Sequence, residues 1–388
     1  MNKFSSLIEQ FYSIYNNPNS KPDIYFAPGR VNLIGEHTDY NGGYVFPCAL
    51  SYGTYLLIRH TDEDVIRLSS TNMDYSANIS IADVNQKHGS EWVNYPLGVI
   101  DQLMKLGAKP TGAELLFSGN IPNGAGLSSS ASIEVVTAYA LNNLWNLKIS
   151  KIDLIKISQK AENEFVGMNC GIMDQFAVGM GQESSALFLN CDTLDYEIIP
   201  LVLNNYKIVI SNTNKRRELA DSKYNERRSE CEKAVEFLNE KKKIRNLSEL
   251  SLDEFNLYES SIPNKVIRSR AKHVISENNR VLKAIPALKS GDLKLFGQLM
   301  NASHDSLKND YEVTGIELDT LAEEAQKLPG VIGSRMTGAG FGGCTVSLVD
   351  KDQVENFIND LGIVYGQKTG LQADFYVADI GNGVCQLN

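Results

Sequence analysis

Residues 122–145 read PNGAGLSSSASIEVVTAYALNNLW. From Gly124 to Ser132, eight of nine residues are Gly, Ala or Ser. Apolar or small residues at 131, 133, 135, 136, 139, 140 and 144 then continue as a helix buried on one face, expected over Ser129–Trp145. A small-residue loop feeding a helix N-terminus presents unpaired N–H groups and the positive end of the helix dipole, an anion site suited to phosphate. The same residues read equally well as a serine-rich N-cap without a ligand. Two common phosphate folds are excluded. A Walker loop needs G-x-x-x-x-G-K-[ST], and no Lys or Arg occurs between Lys109 and Lys148; the third glycine of a dinucleotide fingerprint is Ser129 here. Any phosphate charge must then be met by amides, by Mg²⁺ held on a serine hydroxyl of this run, and by basic residues from elsewhere.

Around this stretch the chain alternates before residue 200 and becomes helical after it. β-rich segments at Tyr44–His60 and Ala113–Phe117 suggest sheet. Ser150–Phe165 has apolar positions at helical spacing. Beyond a strand at Tyr206–Ser211, helices are expected over Asp221–Lys243, Ser269–Ile285, Gly291–Leu307 and Gly315–Leu328. A strand at Cys344–Val349, a helix near Gln353–Leu361 and a last strand at Asp374–Ala378 follow. This order predicts an α+β chain of two lobes, residues 1–200 and 201–388, with the return of the last strand to the first lobe left open.

Two further segments look chemical. Gly330–Gly343 holds six glycines in fourteen residues, beside Val331, Ile332, Met336 and Phe341. Glycine with apolar anchors means backbone packed close to another lobe or to a ligand. Phe26–Gly43, FAPGRVNLIGEHTDYNGG, gathers Arg30, Glu36, His37 and Asp39 in a glycine-punctuated loop. Those groups suit sugar hydroxyls; Glu-His-x-Asp also reads as a weak metal cluster. Glu162 ends the second helix, and Asp174 lies in the apolar stretch CGIMDQF, where an unpaired carboxylate is costly. Asp174 is therefore either functional or a helix cap or buried salt bridge. The basic run Lys215, Arg216 and Arg217 serves a triphosphate or a solvated face equally well.

Composition narrows the function. The 388 residues carry 37 basic and 47 acidic side chains, a net charge of −10, which disfavours nucleic acid as a partner. No run of about 18 apolar residues predicts a membrane span. The start, MNKFSSLIEQFYSIYNN, reads as a short amphipathic helix and not a signal peptide. Six scattered cysteines without a C-x-x-C pair argue against disulfides and structural zinc, and for a cytoplasmic protein with reduced thiols.

Taken in order, GRVNLIGEHTDYNGG, PNGAGLSSSAS, AENEFVGMNCGIMDQF and GSRMTGAGFGGC resemble the signature motifs of the GHMP superfamily of small-molecule kinases, and the first resembles the galactokinase signature within it. The resemblance spans about residue 25 to about 345. It implies a two-lobed α+β fold with the active site in the cleft between lobes. It implies transfer of the ATP γ-phosphate to the C1 hydroxyl of galactose, in galactose catabolism. Asp174 matches the catalytic base and Arg30 the arginine beside it, whose charge would hold Asp174 ionised. Glu36, His37, Thr38, Asp39, Gly171 and Tyr224 match sugar-binding positions. Ser70, Gly124, Ala125, Gly126, Leu127, Ser128, Ser129 and Ser130 match ATP-binding positions, with Ser130 and Glu162 at the Mg²⁺ positions. The Ser130–Ala131 pair is intact, unlike in galactokinase-like sensors that have lost catalysis. The resemblance implies galactose and ATP as partners, and a monomer or dimer.

Overall fold

A computed structural model of the chain describes residues 4–16, 20–122, 126–215 and 220–387. Thirteen strands form three sheets. In chain order they are β1 (Asp23–Asn32), β2 (Tyr44–Val45), β3 (Pro47–His60), β4 (Val65–Ser70), β5 (Ala77–Ser80), β6 (Ala113–Gly119), β7 (Ser185–Asn190), β8 (Tyr196–Pro200), β9 (Tyr206–Asn212), β10 (Val331–Thr337), β11 (Cys344–Asp350), β12 (Asp374–Ala378) and β13 (Cys385–Leu387). The first sheet runs β13-β1-β3-β6-β4-β5, the second β10-β11-β9-β12, and a small third β2-β7-β8.

Helices Asn94–Lys105 and Ser129–Leu144 cover the first sheet, burying Leu97, Ile100, Val135 and Val136 against Leu56, Leu68 and Leu115. In the second half, helices Ala220–Leu238 and Lys265–Lys289 enclose a core of Ala234, Leu238, Ala271, Val274 and Leu307. A third core takes Val31, Leu33, Ile34 and Phe46 from the first half. It takes Ile208, Ile210, Val281, Phe296, Val346 and Leu348 from the second. The two halves thus share buried apolar surface, the main source of folding energy.

The expected helices and strands occur where the periodicity places them, with shifted ends. Several differences are instructive. Tyr44–His60 is two strands in different sheets, β2 and β3, divided at Phe46. Arg30 lies on β1, not in a loop, just past a register shift between Pro28 and Arg30. The first part of the glycine-rich third segment is strand β10, whose side chains are mostly buried. The strand at Asp374–Ala378 pairs with β9 in the second sheet. Residues Cys385–Leu387, for which no strand was expected, return to the first sheet beside β1. Ser150–Phe165 is an α-helix over Lys151–Lys160 that widens into a π turn at Ala161–Val166.

All six cysteines are free thiols. Among the described residues no helix is long and apolar enough to cross a membrane. His304, Asp319 and Glu323 form a group with metal-like spacing. Lys308 pairs with both carboxylates, His304 Nδ1 accepts the Met336 amide, and His304 Nε2 lies 3.5 Å from Asp319 Oδ1.

Candidate active site

Where the two halves meet, a cavity of about 330 Å³ is lined by Arg30, Glu36, His37, Asp39, residues 126–130, Glu162, Gly171, Asp174, Tyr224 and the backbone turn at Gly338–Ala339. Its size suits a small molecule.

The floor is an ion pair. Arg30 Nε and Nη2 each lie 2.6 Å from one oxygen of Asp174, a bidentate geometry that fixes both groups. Arg30 Nη1 donates to the Gly126 carbonyl at 2.9 Å, and its backbone N–H donates to the Leu127 carbonyl at 3.1 Å. The strand bulge therefore docks directly on the small-residue loop. Gly29 permits this approach, since a Cβ there would sit 2.7 Å from the Leu127 carbonyl oxygen. Burial alone would lower the Arg30 pKa; the Asp174 carboxylate outweighs it and raises the value.

Ser128 does not act as a side-chain cap. It precedes helix Ser129–Leu144 in left-handed backbone (φ +62°). Its hydroxyl donates instead to Asp174 Oδ2. Asp174 itself stands in the first turn of helix Met173–Met180, the N-terminal end that favours an anion.

A second group of carboxylates lies behind Ser130. The Gln175 amide donates to Glu162 Oε2 at 2.6 Å and to Glu134 Oε2 at 3.1 Å, and the Cys170 thiol donates to Glu162 Oε2 at 3.3 Å. Burial, then the neighbouring carboxylates, raise the pKa of both glutamates, with Ser130 hydrogen-bonded to Glu162. Glu134 is fully buried and its Oε1 has no hydrogen bond. The charges that bear on this pair are those of other carboxylates, and the hydroxyl and the acidic pair offer oxygen donors of the kind a divalent cation takes. Glu134 was missed in the sequence, although it stands one helical turn beyond Ser130 on the same face.

The opposite wall is the loop after β1. Glu36 Oε2 accepts from Asn32 at 2.6 Å and Oε1 from the Gly338 N–H at 2.6 Å. His37 adopts left-handed backbone (φ +63°), a strain that surrounding contacts must hold. Burial, then the neighbouring His273 and Arg227, push its imidazole down to about 3, so the ring is neutral. Burial and the Asp174 carboxylate push Asp39 up to about 7. Gly171 lets Asp39 sit there, because a Cβ at 171 would lie 1.9 Å from its Oδ2. Tyr224 closes this side, its ring 5.7 Å from His37 and 5.1 Å from Tyr40. Among the described residues Glu36, His37 and Asp39 do not converge as a metal group.

Not every expected residue reaches the cavity. Thr38 is buried and spends its hydroxyl on the Gly35 and Tyr44 carbonyls, which shapes the loop. Ser70 ends β4 and accepts from the Asn72 amide, away from the cavity lining. Lys215 pairs with Glu317 at 2.9 Å and does not line the cavity. Gly124, Ala125, Arg216 and Arg217 lie outside the described residues.

The family model for the GHMP kinase N-terminal domain matches residues 94–182, and that for the GHMP kinase C-terminal domain matches 284–367. A Methanococcus jannaschii mevalonate kinase shares the fold, with a TM-score of 0.66 at 21% identity over 94% of this chain and 100% of that one. Fold and site thus define a two-lobed α+β small-molecule kinase of the GHMP type. Within that class the galactokinase galactose-binding signature matches residues 9–60. Galactokinases of Clostridium beijerinckii and Clostridium acetobutylicum are 53% and 51% identical to the chain. The first match covers 94% of each chain and the second 100% of each. A crystal structure of Lactococcus lactis galactokinase complexed with galactose superposes with a TM-score of 0.97 at 46% identity, covering 99% of this chain and 100% of that one. The chain belongs to the galactokinases, ATP-dependent sugar kinases that phosphorylate the C1 hydroxyl of galactose.

Proposed function

We propose that the cavity between the halves binds galactose against Glu36, His37, Asp39, Gly171 and Tyr224, with its C1 hydroxyl toward Asp174. The single observation that carries this reading is the Arg30–Asp174 pair at the floor of a cavity that Glu36, His37, Asp39 and Tyr224 also line. Asp174 orients the attacking hydroxyl and accepts its proton as the O–P bond forms, a contribution of about 10²–10⁴-fold. Arg30 fixes both oxygens of Asp174 and supplies positive charge beside the transferring phosphoryl group. Phosphoryl transfer depends mostly on positioning and charge stabilisation, so a loop of amides, one metal and one arginine can support its chemistry. The loop ending in Ser130 holds the phosphates of ATP through backbone amides at the start of helix Ser129–Leu144.

Ser130 and Glu162 would hold Mg²⁺, a fit supported by the buried acidic pair that shares Gln175. When bound, the metal neutralises phosphate charge during transfer. Glu134 shares the Gln175 amide with Glu162, and Gln175 fixes the Glu162 carboxylate. We assign residues 1–200 and 201–388 as the two lobes and place the enzyme in the cytoplasm.

The test is ADP release from ATP and Mg²⁺ across galactose, glucose, N-acetylgalactosamine, arabinose and mevalonate. Galactose alone is expected to give rapid ADP release, abolished by chelating the metal. Equal rates with glucose would overturn the assignment of the Glu36–Asp39 wall to galactose, and turnover in excess chelator would overturn the metal.

A further inference from the structure

Four side chains form one hydrogen-bonded chain behind the sugar wall. His37 Nδ1 lies 2.8 Å from the Tyr40 hydroxyl, which lies 2.7 Å from the Tyr311 hydroxyl, itself 3.2 Å from Cys231 Sγ. His37, Tyr311 and Cys231 are buried. His37 and Tyr40 belong to the loop after β1, while Cys231 lies on helix Ala220–Leu238 and Tyr311 ends the π turn Leu307–Tyr311. The chain therefore crosses between the two halves. Ring packing reinforces it: Tyr311 stands 4.8 Å from His37 and 4.5 Å from His273. Arg227 Nε anchors the Tyr311 carbonyl at 2.8 Å.

Such a chain of donors runs in one direction. Sulfur is a weak acceptor, whereas the unprotonated nitrogen of a neutral imidazole accepts readily. The favourable order is Cys231 S–H to Tyr311, Tyr311 O–H to Tyr40, and Tyr40 O–H to His37 Nδ1. The one ring proton of His37 then sits on Nε2. The reverse order ends on sulfur and leaves Nε2 as a bare buried lone pair. Nε2 is buried and completes no hydrogen bond, although the Ala339 backbone is near enough to favour a proton on the ring. An unsatisfied buried donor is costly until an acceptor arrives.

We propose that Tyr40, Tyr311 and Cys231 are positioning residues that lock His37 as its Nε2–H tautomer, so that the sugar wall presents a donor to one galactose oxygen. This rests on the reading of the cavity as the sugar site. In Tyr311→Phe the ring and its packing stay and the hydroxyl goes. The galactose KM is expected to rise about 5- to 10-fold, the worth of one hydrogen bond, with kcat and the ATP KM within about twofold. ¹⁵N-histidine NMR of the unmodified protein is expected to show an unprotonated Nδ1 and a protonated Nε2 at His37, and both tautomers in the variant. An unchanged galactose KM in a folded Tyr311→Phe protein, or a proton on Nδ1 in the unmodified protein, would overturn the proposal. Should Tyr311→Phe not fold, Tyr40→Phe breaks the same chain, and the tautomer is read on the unmodified protein. Failure of that protein to bind galactose would overturn the sugar-site reading separately, because the NMR result does not depend on turnover.

Discussion

Arg30 and Asp174 show how far single residues can be read. Their types and apolar surroundings marked both as candidates, yet an ion pair and a catalytic pair look alike in a sequence. The salt-bridge alternative is what the structure has, and the paired Asp174 also faces the cavity. Gly171 was legible only through resemblance, because the reason for it is a three-dimensional approach to Asp39. That approach makes a sharp prediction. Gly171→Ala forces Asp39 to move, so the galactose KM should rise by at least about tenfold while the ATP KM stays within about twofold, as measured by initial rates. Equal changes in both constants would show that Gly171 serves the fold and not the sugar wall. Glu134 escaped notice for a different reason. A glutamate on an amphipathic helix is ordinarily solvent-facing, and only its i+4 relation to Ser130 pointed inward.

Elements place these residues, and the most informative is helix Lys265–Lys289. Its Glu277 is fully buried, and Oε1 accepts from the Gly35 N–H at 2.8 Å, the Glu36 N–H at 3.3 Å and the Ser303 hydroxyl at 2.6 Å. Burial raises its pKa, but Arg280, His273 and Arg335 together with the Ser303 bond outweigh burial and bring it down to about 2. A carboxyl lowered on folding contributes stability that is present above its unfolded value of about 4.5 and is lost as pH falls toward 2. The shift corresponds to roughly 3 kcal/mol. Glu277→Gln should therefore be less stable at pH 7 by a few kcal/mol, with the gap closing between pH 4.5 and 2, as read from urea midpoints. A gap independent of pH would show that the carboxylate charge is not what holds the loop. The helix was legible from its periodicity. Its task was not, because Gly35 and Glu36 lie more than 240 residues away in sequence. Strand β10 was hidden for a related reason: its glycine and polar residues look like loop, and its burial comes from pairing with β11 and packing on Leu293–Ser306.

The whole molecule is held together by contacts that cross its midpoint. Arg335 is fully buried and donates to the Asn32 carbonyl at 2.9 Å, the Gly338 N–H reaches Glu36, and β13 closes on β1. With Val31, Phe46, Ile208 and Val346 in one core, part of each half's apolar surface is buried only against the other. Residues 1–200 alone should thus lack a cooperative thermal transition by circular dichroism, and a sharp transition would show an independent lobe. The two-lobed α+β class was legible from the change in pattern near residue 200, but the shared core and the crossing of β13 depend on tertiary pairing that no local pattern records. The site exists only where the halves meet, and its central claim is that Asp174 takes the proton of the sugar hydroxyl there. The most direct measurement is galactose-dependent ADP release by Asp174→Asn beside its galactose affinity by calorimetry. The account predicts that kcat falls by about 10²–10⁴-fold in a folded protein that still binds galactose; near-normal turnover would contradict it.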